Sequence, residues 1–291
     1  MSTLHNNDLK QLETDIALSE QKTAGLIRGT EKKFVWAKAY EQTDIAIVYI
    51  HGFSASRQEI SPVCERIAEA LDANLFYTRL EGHGCHANAM KTITSRKLLQ
   101  DAADAIAIGN RLGKKLIVIS NSTGGSLACS VLANTAPDSI AALILLSPNF
   151  GLKSPMARVL SWPGKSLWLR LLKGPTFTFD PQNDAQANFW TTSYPSRALL
   201  PMVEVIASAR HAPLHNITAP TLMLYCKQDQ LLDINAMLSY FALIGAAQKQ
   251  VIDYDSVGSS QQHVLAGDIL SPQTNEQVIG DVLQFLKTYL T

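Results

Sequence analysis

The chain has 291 residues, enough for one large domain carrying an insertion or for two ordinary domains. Apolar residues make up 46% and charged residues 17%, which excludes a disordered, charge-rich chain. The formal net charge of zero lacks the basic footprint of a protein whose main partner is nucleic acid.

The first fifteen residues, MSTLHNNDLKQLETD, are polar and carry acids, unlike a secretory signal or a transit peptide, and no apolar run has the length of a membrane span. Cys64, Cys85, Cys129 and Cys226 are scattered, with no C-x-x-C pair and no histidine at metal-ligand spacing. They are expected to be reduced core or near-core residues of a cytoplasmic protein.

In chain order, residues 8–22 read as a short helix, and 25–28 with 34–39 as an antiparallel strand pair turning at Gly29-Thr30 on a sheet edge. Residues 45–50 form an almost unbroken apolar strand ending in His51-Gly52-Phe53-Ser54. A tight turn after a buried strand leaves backbone N–H groups facing the crevice at the strand's carboxyl end. Ligands of open α/β sheets bind there, and such donors suit an oxyanion. A helix over 56–71 carries Ile60, Val63, Ile67, Ala68 and Leu71 on one face, and 74–78 is the next strand, leading into the glycine-punctuated loop 79–84. His83, between two glycines, reads as a turn residue satisfied by backbone rather than as a ligand or base, and His86 has a weaker claim.

The spacing of Leu98, Leu99, Ala102, Ala103, Ile106 and Ile108 predicts a helix over 95–112, closed by Gly113. KLIVISNSTGG (115–125) then runs a β-branched apolar strand into small residues. Ser120, Ser122, Gly124 and Gly125 permit a sharp strand-to-helix turn in which a serine is held strained with its hydroxyl above the sheet. The pattern departs from G-x-S-x-G, because Ser120 stands at the first glycine position. Taken alone, this stretch reads equally well as a polar loop with a helix cap. A small-residue helix over 126–133, ended by Pro137, and a strand over 141–146 follow. The alternation of strand and helix predicts a parallel, doubly wound sheet.

That alternation stops near Phe150 and resumes near Ala219. The expected division is an α/β core domain of residues 1–150 and 219–291, with an inserted cap or lid subdomain of 151–218 over the carboxyl edge of the sheet. The insertion holds Trp162, Trp168, Phe177, Phe179, Phe189, Trp190 and Tyr194. Its first part, 151–174, contains Lys153, Arg158, Lys165, Arg170 and Lys173 but no acid, interleaved with Leu160, Trp162, Leu167, Trp168, Leu171 and Leu172. Such a stretch suits a membrane surface or an acidic partner, although packing on the main domain with solvated charges is the preferred reading. Strand 221–225 leads to Asp229, a helix is expected over 234–244, and a last strand over 250–254 opens the loop that delivers His263 before a final helix over 275–289.

A serine hydroxyl becomes a good nucleophile when a base removes its proton, and histidine does this well when a carboxylate fixes its tautomer. Ser122, Asp229 and His263 arrive in that order, each in a loop after a core strand, so a parallel sheet delivers all three to one edge. Asp233, Asp253 and Asp255 are further candidates for the acid.

With these motifs the chain resembles the α/β-hydrolase superfamily, and particularly its monoacylglycerol lipase and carboxylesterase branch with an inserted cap. The resemblance spans nearly the whole chain and rests on HGFS at 51–54, EGHG at 81–84, SNSTGG at 120–125 and the ordered acid and base. It implies Ser122 as nucleophile, His263 as base and Asp229 as acid, with the N–H groups of Phe53 and Thr123 forming the oxyanion hole. It further implies acyl transfer through a covalent ester on Ser122, without metal or organic cofactor, on a small apolar carboxylic ester such as a monoacylglycerol. Thioesterases, amidases, aminopeptidases, carbon–carbon hydrolases, acyltransferases and low-turnover binding proteins share the constellation, and fold does not choose among them.

Overall fold

In a computed structural model that describes residues 6–154 and 174–290, the apolar runs become adjacent strands of one twisted sheet. Its strands are β1 (Lys33–Val35), β2 (Thr43–Ile50), β3 (Asn74–Tyr77), β4 (Gly113–Asn121), β5 (Ile140–Leu146), β8 (Thr221–Cys226) and β9 (Lys249–Tyr254). They lie in the order β1-β3-β2-β4-β5-β8-β9. Neighbours are parallel except β1, which runs antiparallel to β3. A separate two-stranded sheet pairs β6 (Thr176–Thr178) with β7 (Ser193–Pro195).

Among the described residues the helices are α1 (Asn6–Gln21), α2 (Val63–Ala70), α3 (Ser95–Leu112), α4 (Thr123–Thr135), α5 (Asp184–Phe189), α6 (Leu199–His211), α7 (Ile234–Ala242) and α8 (Asn275–Tyr289). Successive strand residues point to opposite faces, so the inner strands feed two cores. Val48, Ile50, Leu116, Val118, Leu143 and Met223 pack with residues of α1, α3, α4, α6 and α7. On the other face, Ile47, Tyr49, Ile117, Ile119, Ile144 and Leu224 pack with residues of α2 and α8. Burial on both faces explains why these strands read as continuous apolar runs.

Two expectations are corrected. No hairpin joins 25–28 to 34–39: Leu26 makes a single antiparallel bridge to Cys85, and β1 pairs with β3 instead. Positive φ angles at Gly25 and Gly29 bend the chain between them, and Thr30 Oγ1 donates to the carbonyls of Ile27 and Gly84. The helix expected over 56–71 is a 3-10 turn at Arg57–Glu59 followed by the shorter α2, because Pro62 has no N–H to continue a helical ladder. Within the segment 151–218, α6 packs on α4 and α3, and Val205, Ala209, Leu214 and Ile217 join the main core.

The basic and aromatic stretch with Arg158, Trp162, Lys165, Trp168, Arg170 and Lys173 lies outside the described residues. Among the described residues no helix is long and apolar enough to cross a membrane. All four cysteines are free and buried, and burial pushes the Cys129 thiol up to about 12.

Candidate active site

Strand β4 delivers Ser122 into a turn so tight that α4 begins at the next residue. Ser122 has φ 53° and ψ −120°, a backbone conformation that costs about 1–3 kcal/mol for a residue with a side chain. The surroundings hold it there: Ser122 N–H donates to Leu146 O at 2.9 Å, while Ser122 O accepts from Gly125 N–H and Asn149 N–H, both at 2.9 Å. Ser120 is fully buried in β4 with its Oγ 3.4 Å from Ile144 O, so a small side chain fits where the usual pattern has glycine.

Asp229 sits in the turn after β8, only 1% exposed. Its Oδ1 accepts from Leu231 N–H at 2.7 Å and Leu232 N–H at 3.0 Å, which leaves Oδ2 for His263. The loop after β9 is tied down around that histidine. Ser147 Oγ donates to His263 O at 2.9 Å, Ser271 Oγ donates to Val264 O at 2.5 Å, and Val257 N–H donates to Gln262 Oε1 at 2.8 Å. The resulting geometry is continuous: His263 Nδ1 lies 2.7 Å from Asp229 Oδ2 and His263 Nε2 lies 2.9 Å from Ser122 Oγ. An ionised carboxylate accepts only, so the partners assign the proton to Nδ1 and leave Nε2 to accept from the serine hydroxyl. The competing acids lie elsewhere in bonding: Asp233 caps α7 by accepting from Ala236 N–H at 3.1 Å, Asp255 pairs with Lys227, and Asp253 is an exposed residue of β9.

The loop after β2 faces the serine. His51, completely buried, donates from Nδ1 to Gly52 O at 2.8 Å and accepts Leu80 N–H on Nε2 at 3.1 Å. Burial lowers its pKa to about 3, so it works as a neutral brace. Phe53 packs its ring against His83 and Tyr194, with centroids at 5.1 and 5.7 Å. His83 is itself buried with Nδ1 2.9 Å from Glu81 O, which makes it a turn residue beneath Phe53 rather than part of the hydrogen-bond chain. Thr123 N–H, the first of α4, belongs to the N-terminal donors that have no acceptor within their own helix.

Sequence patterning does not point to Glu59 or Asn121, which also meet here. Glu59 accepts from Gly52 N–H at 2.6 Å and Tyr49 OH at 2.7 Å, and from Asn121 Nδ2 at 3.1 Å. The signal available, an acid following an apolar strand and a polar turn, is too common to single out.

These groups floor a cavity of about 510 Å3. Among the described residues its lining includes Phe53, Phe177, Phe179, Trp190, Leu231 and Leu270, with Ser122 and His263 at the base. The small sheet β6–β7 supplies Phe177 and Tyr194 to that aromatic wall, Phe179 follows β6 and Trp190 follows α5, and Thr191 N–H donates to Ser54 O at 2.8 Å to tie the wall to the loop after β2.

Comparison with known proteins agrees with this architecture. A metagenome-derived lipolytic enzyme of the LipS and LipT pair superposes with a TM-score of 0.74 at 18% identity, covering 90% of this chain and 99% of that one. A monoacylglycerol lipase of Paleococcus ferrophilus gives 0.62 at 15% identity over 89% and 98%. A soluble variant of monoglyceride lipase from Saccharomyces cerevisiae, solved with a substrate analogue, gives 0.62 at 15% identity over 90% and 92%. At such identities the likeness is one of fold. A search of curated protein sequences returned no match. The family model for serine aminopeptidase, S33, matches residues 41–258, well over half of the chain. The chain is an α/β-hydrolase and belongs to the serine aminopeptidase, S33, family.

Proposed function

We propose that this α/β-hydrolase is a serine-dependent carboxylic ester hydrolase acting on small apolar esters, including monoacylglycerols, with residues 174–198 as part of a cap over the site. The observation that carries the reading is the hydrogen-bond chain Asp229–His263–Ser122 at the floor of an aromatic cavity. Ser122 Oγ attacks the ester carbonyl while His263 Nε2 takes its proton, and Asp229 stabilises the imidazolium. The tetrahedral oxyanion accepts from the N–H groups of Phe53 and Thr123, which are fixed before the substrate arrives. Collapse expels the alcohol, which receives the proton from Nε2. Water then adds to the acyl-enzyme by the same route and releases the acid and Ser122.

Apolar walls favour an acyl or alkyl group over a charged amino terminus. A serine aminopeptidase has the same machinery, and Asp180 in the cavity lining is a group that an α-ammonium would recognise. A panel of p-nitrophenyl esters, monoacylglycerols and aminoacyl p-nitroanilides separates the two. We expect kcat/KM for the best ester to exceed that for the best anilide by at least about 100-fold, roughly 3 kcal/mol in transition-state binding. The reverse ranking would make the protein an aminopeptidase.

A further inference from the structure

Glu59 stands outside the Asp229–His263–Ser122 chain, yet its carboxylate, in a residue only 2% exposed, joins the parts of the site that must stay in register. Oε1 accepts from Gly52 N–H at 2.6 Å and from Tyr49 OH at 2.7 Å, which fixes the loop after β2 to its own strand. Oε2 accepts at 3.1 Å from Nδ2 of Asn121, the residue before Ser122. A carbon added at Gly52 would stand 3.2 Å from Glu59 Oε2 and 3.3 Å from Ser122 Cβ, so carboxylate, loop and elbow are in mutual contact. Burying a carboxylate is costly unless donors surround it, and here three do.

We propose that Glu59 is a positioning residue whose carboxylate clamps the loop after β2 against the elbow, and so sets the N–H groups of Phe53 and Thr123 at the distance the oxyanion requires. This rests on the ester-hydrolase reading above. Through Glu59 the positioning becomes sensitive to pH. The titratable groups facing it are Tyr49 from β2, Cys64 from α2 and His263 from the loop after β9. Burial raises the pKa of the Tyr49 phenol and the Cys64 thiol, so both stay neutral, and His263 is the neighbour that changes charge in the proposed turnover. Burial also lifts Glu59 to about 7 against the lowering by its three donors. When ionised, Glu59 satisfies all three donors and favours the His263 imidazolium. When protonated, it turns a donor into a shell that offers donors. Its contribution to turnover is therefore present above about pH 7 and lost as pH falls through that value.

The test is kcat and KM against pH, from about 5 to 9, for wild type, Glu59→Gln, Asn121→Ala and the double variant on one p-nitrophenyl ester, with folding checked by circular dichroism. Glu59→Gln keeps an acceptor for Gly52 and Tyr49 but turns an amide toward Asn121, while Asn121→Ala leaves the carboxylate and removes the elbow-side bond. We expect each single variant to lower kcat about 10- to 100-fold with KM within about twofold, and the double variant to be no worse than the singles. Glu59→Gln should keep the acid limb that the His263 base imposes and lose the additional ionisation that Glu59 contributes to the wild-type kcat profile. Wild-type kcat across the range in a folded Glu59→Gln protein, or a raised KM at unchanged kcat, would overturn the proposal. If Glu59→Gln does not fold, Asn121→Ala decides: unchanged kcat overturns the clamp, and the expected fall in kcat supports it. A wild type with neither ester turnover nor a fluorophosphonate adduct sinks the ester-hydrolase reading itself, and this proposal with it.

Discussion

Replacing Ser122 with alanine is expected to lower kcat on any ester the protein turns over by about 10^4- to 10^6-fold while leaving the fold intact. The oxygen removed is the atom that forms the acyl bond in the proposed mechanism, and its hydrogen-bond partner is His263 Nε2. Residual catalysis from the oxyanion donors and from substrate binding sets the floor, so the loss is large without being total. Alanine keeps the Cβ that the strained turn already accommodates, and the bonds that hold the turn are made by the backbone of Ser122. Thermal unfolding should therefore shift by no more than a few degrees. Ester turnover by Ser122→Ala within about tenfold of wild type would assign the chemistry to another group.

The second large effect is on stability. Gly124→Ala is expected to destabilise the protein by about 3 kcal/mol or more, read as a fall in the urea midpoint at unchanged slope. A Cβ at Gly124 would lie 2.1 Å from Ile50 O and 2.8 Å from His51 O. Those atoms are backbone of a central strand and its following loop, so no side-chain rotation relieves the contact. Either α4 must withdraw from β2 or the turn must open, and both displace Ser122 from His263. An unchanged midpoint for Gly124→Ala would mean that the helix does not approach the strand as closely as described. The contrast with Ser120 explains the partial match to G-x-S-x-G: the second glycine meets backbone, whereas the first position holds a serine whose Oγ lies 3.4 Å from Ile144 O.

What the sequence discloses follows from how local each cause is. The helices over 95–112 and 275–289 coincide with α3 and α8 because their apolar spacing, with Gly113 after the first, is a local signal. The core strands were legible because burial on both faces leaves few polar residues in them. Ser122, Asp229 and His263 were legible for a topological reason, since parallel strands bring their carboxyl ends to one edge whatever the spacing in sequence. Glu59 and Asn121 carry no such signal. Their meeting depends on the loop after β2 crossing the end of β4, and a single glutamate among polar residues is ordinary surface composition. The burial of Val205 and Ala209 against α4 is equally hidden in the sequence, because it is a contact between segments whose periodicity does not name its partner. The strand pair expected at 25–39 failed because Phe34 finds a better-buried neighbour in Phe76 of β3 than any residue of a local hairpin offers.

In the proposed mechanism Ser122 is activated by the chain of hydrogen bonds through His263 to Asp229. Intact-mass analysis after treatment with a fluorophosphonate tests it most directly, because the reagent reacts with an activated serine and needs no knowledge of the natural substrate. The wild type should carry a single adduct and Ser122→Ala none, and labelling of Asp229→Asn should be slowed by about 10^3-fold or more. A wild type that stays unlabelled while folded, or an adduct that persists in Ser122→Ala, would contradict it.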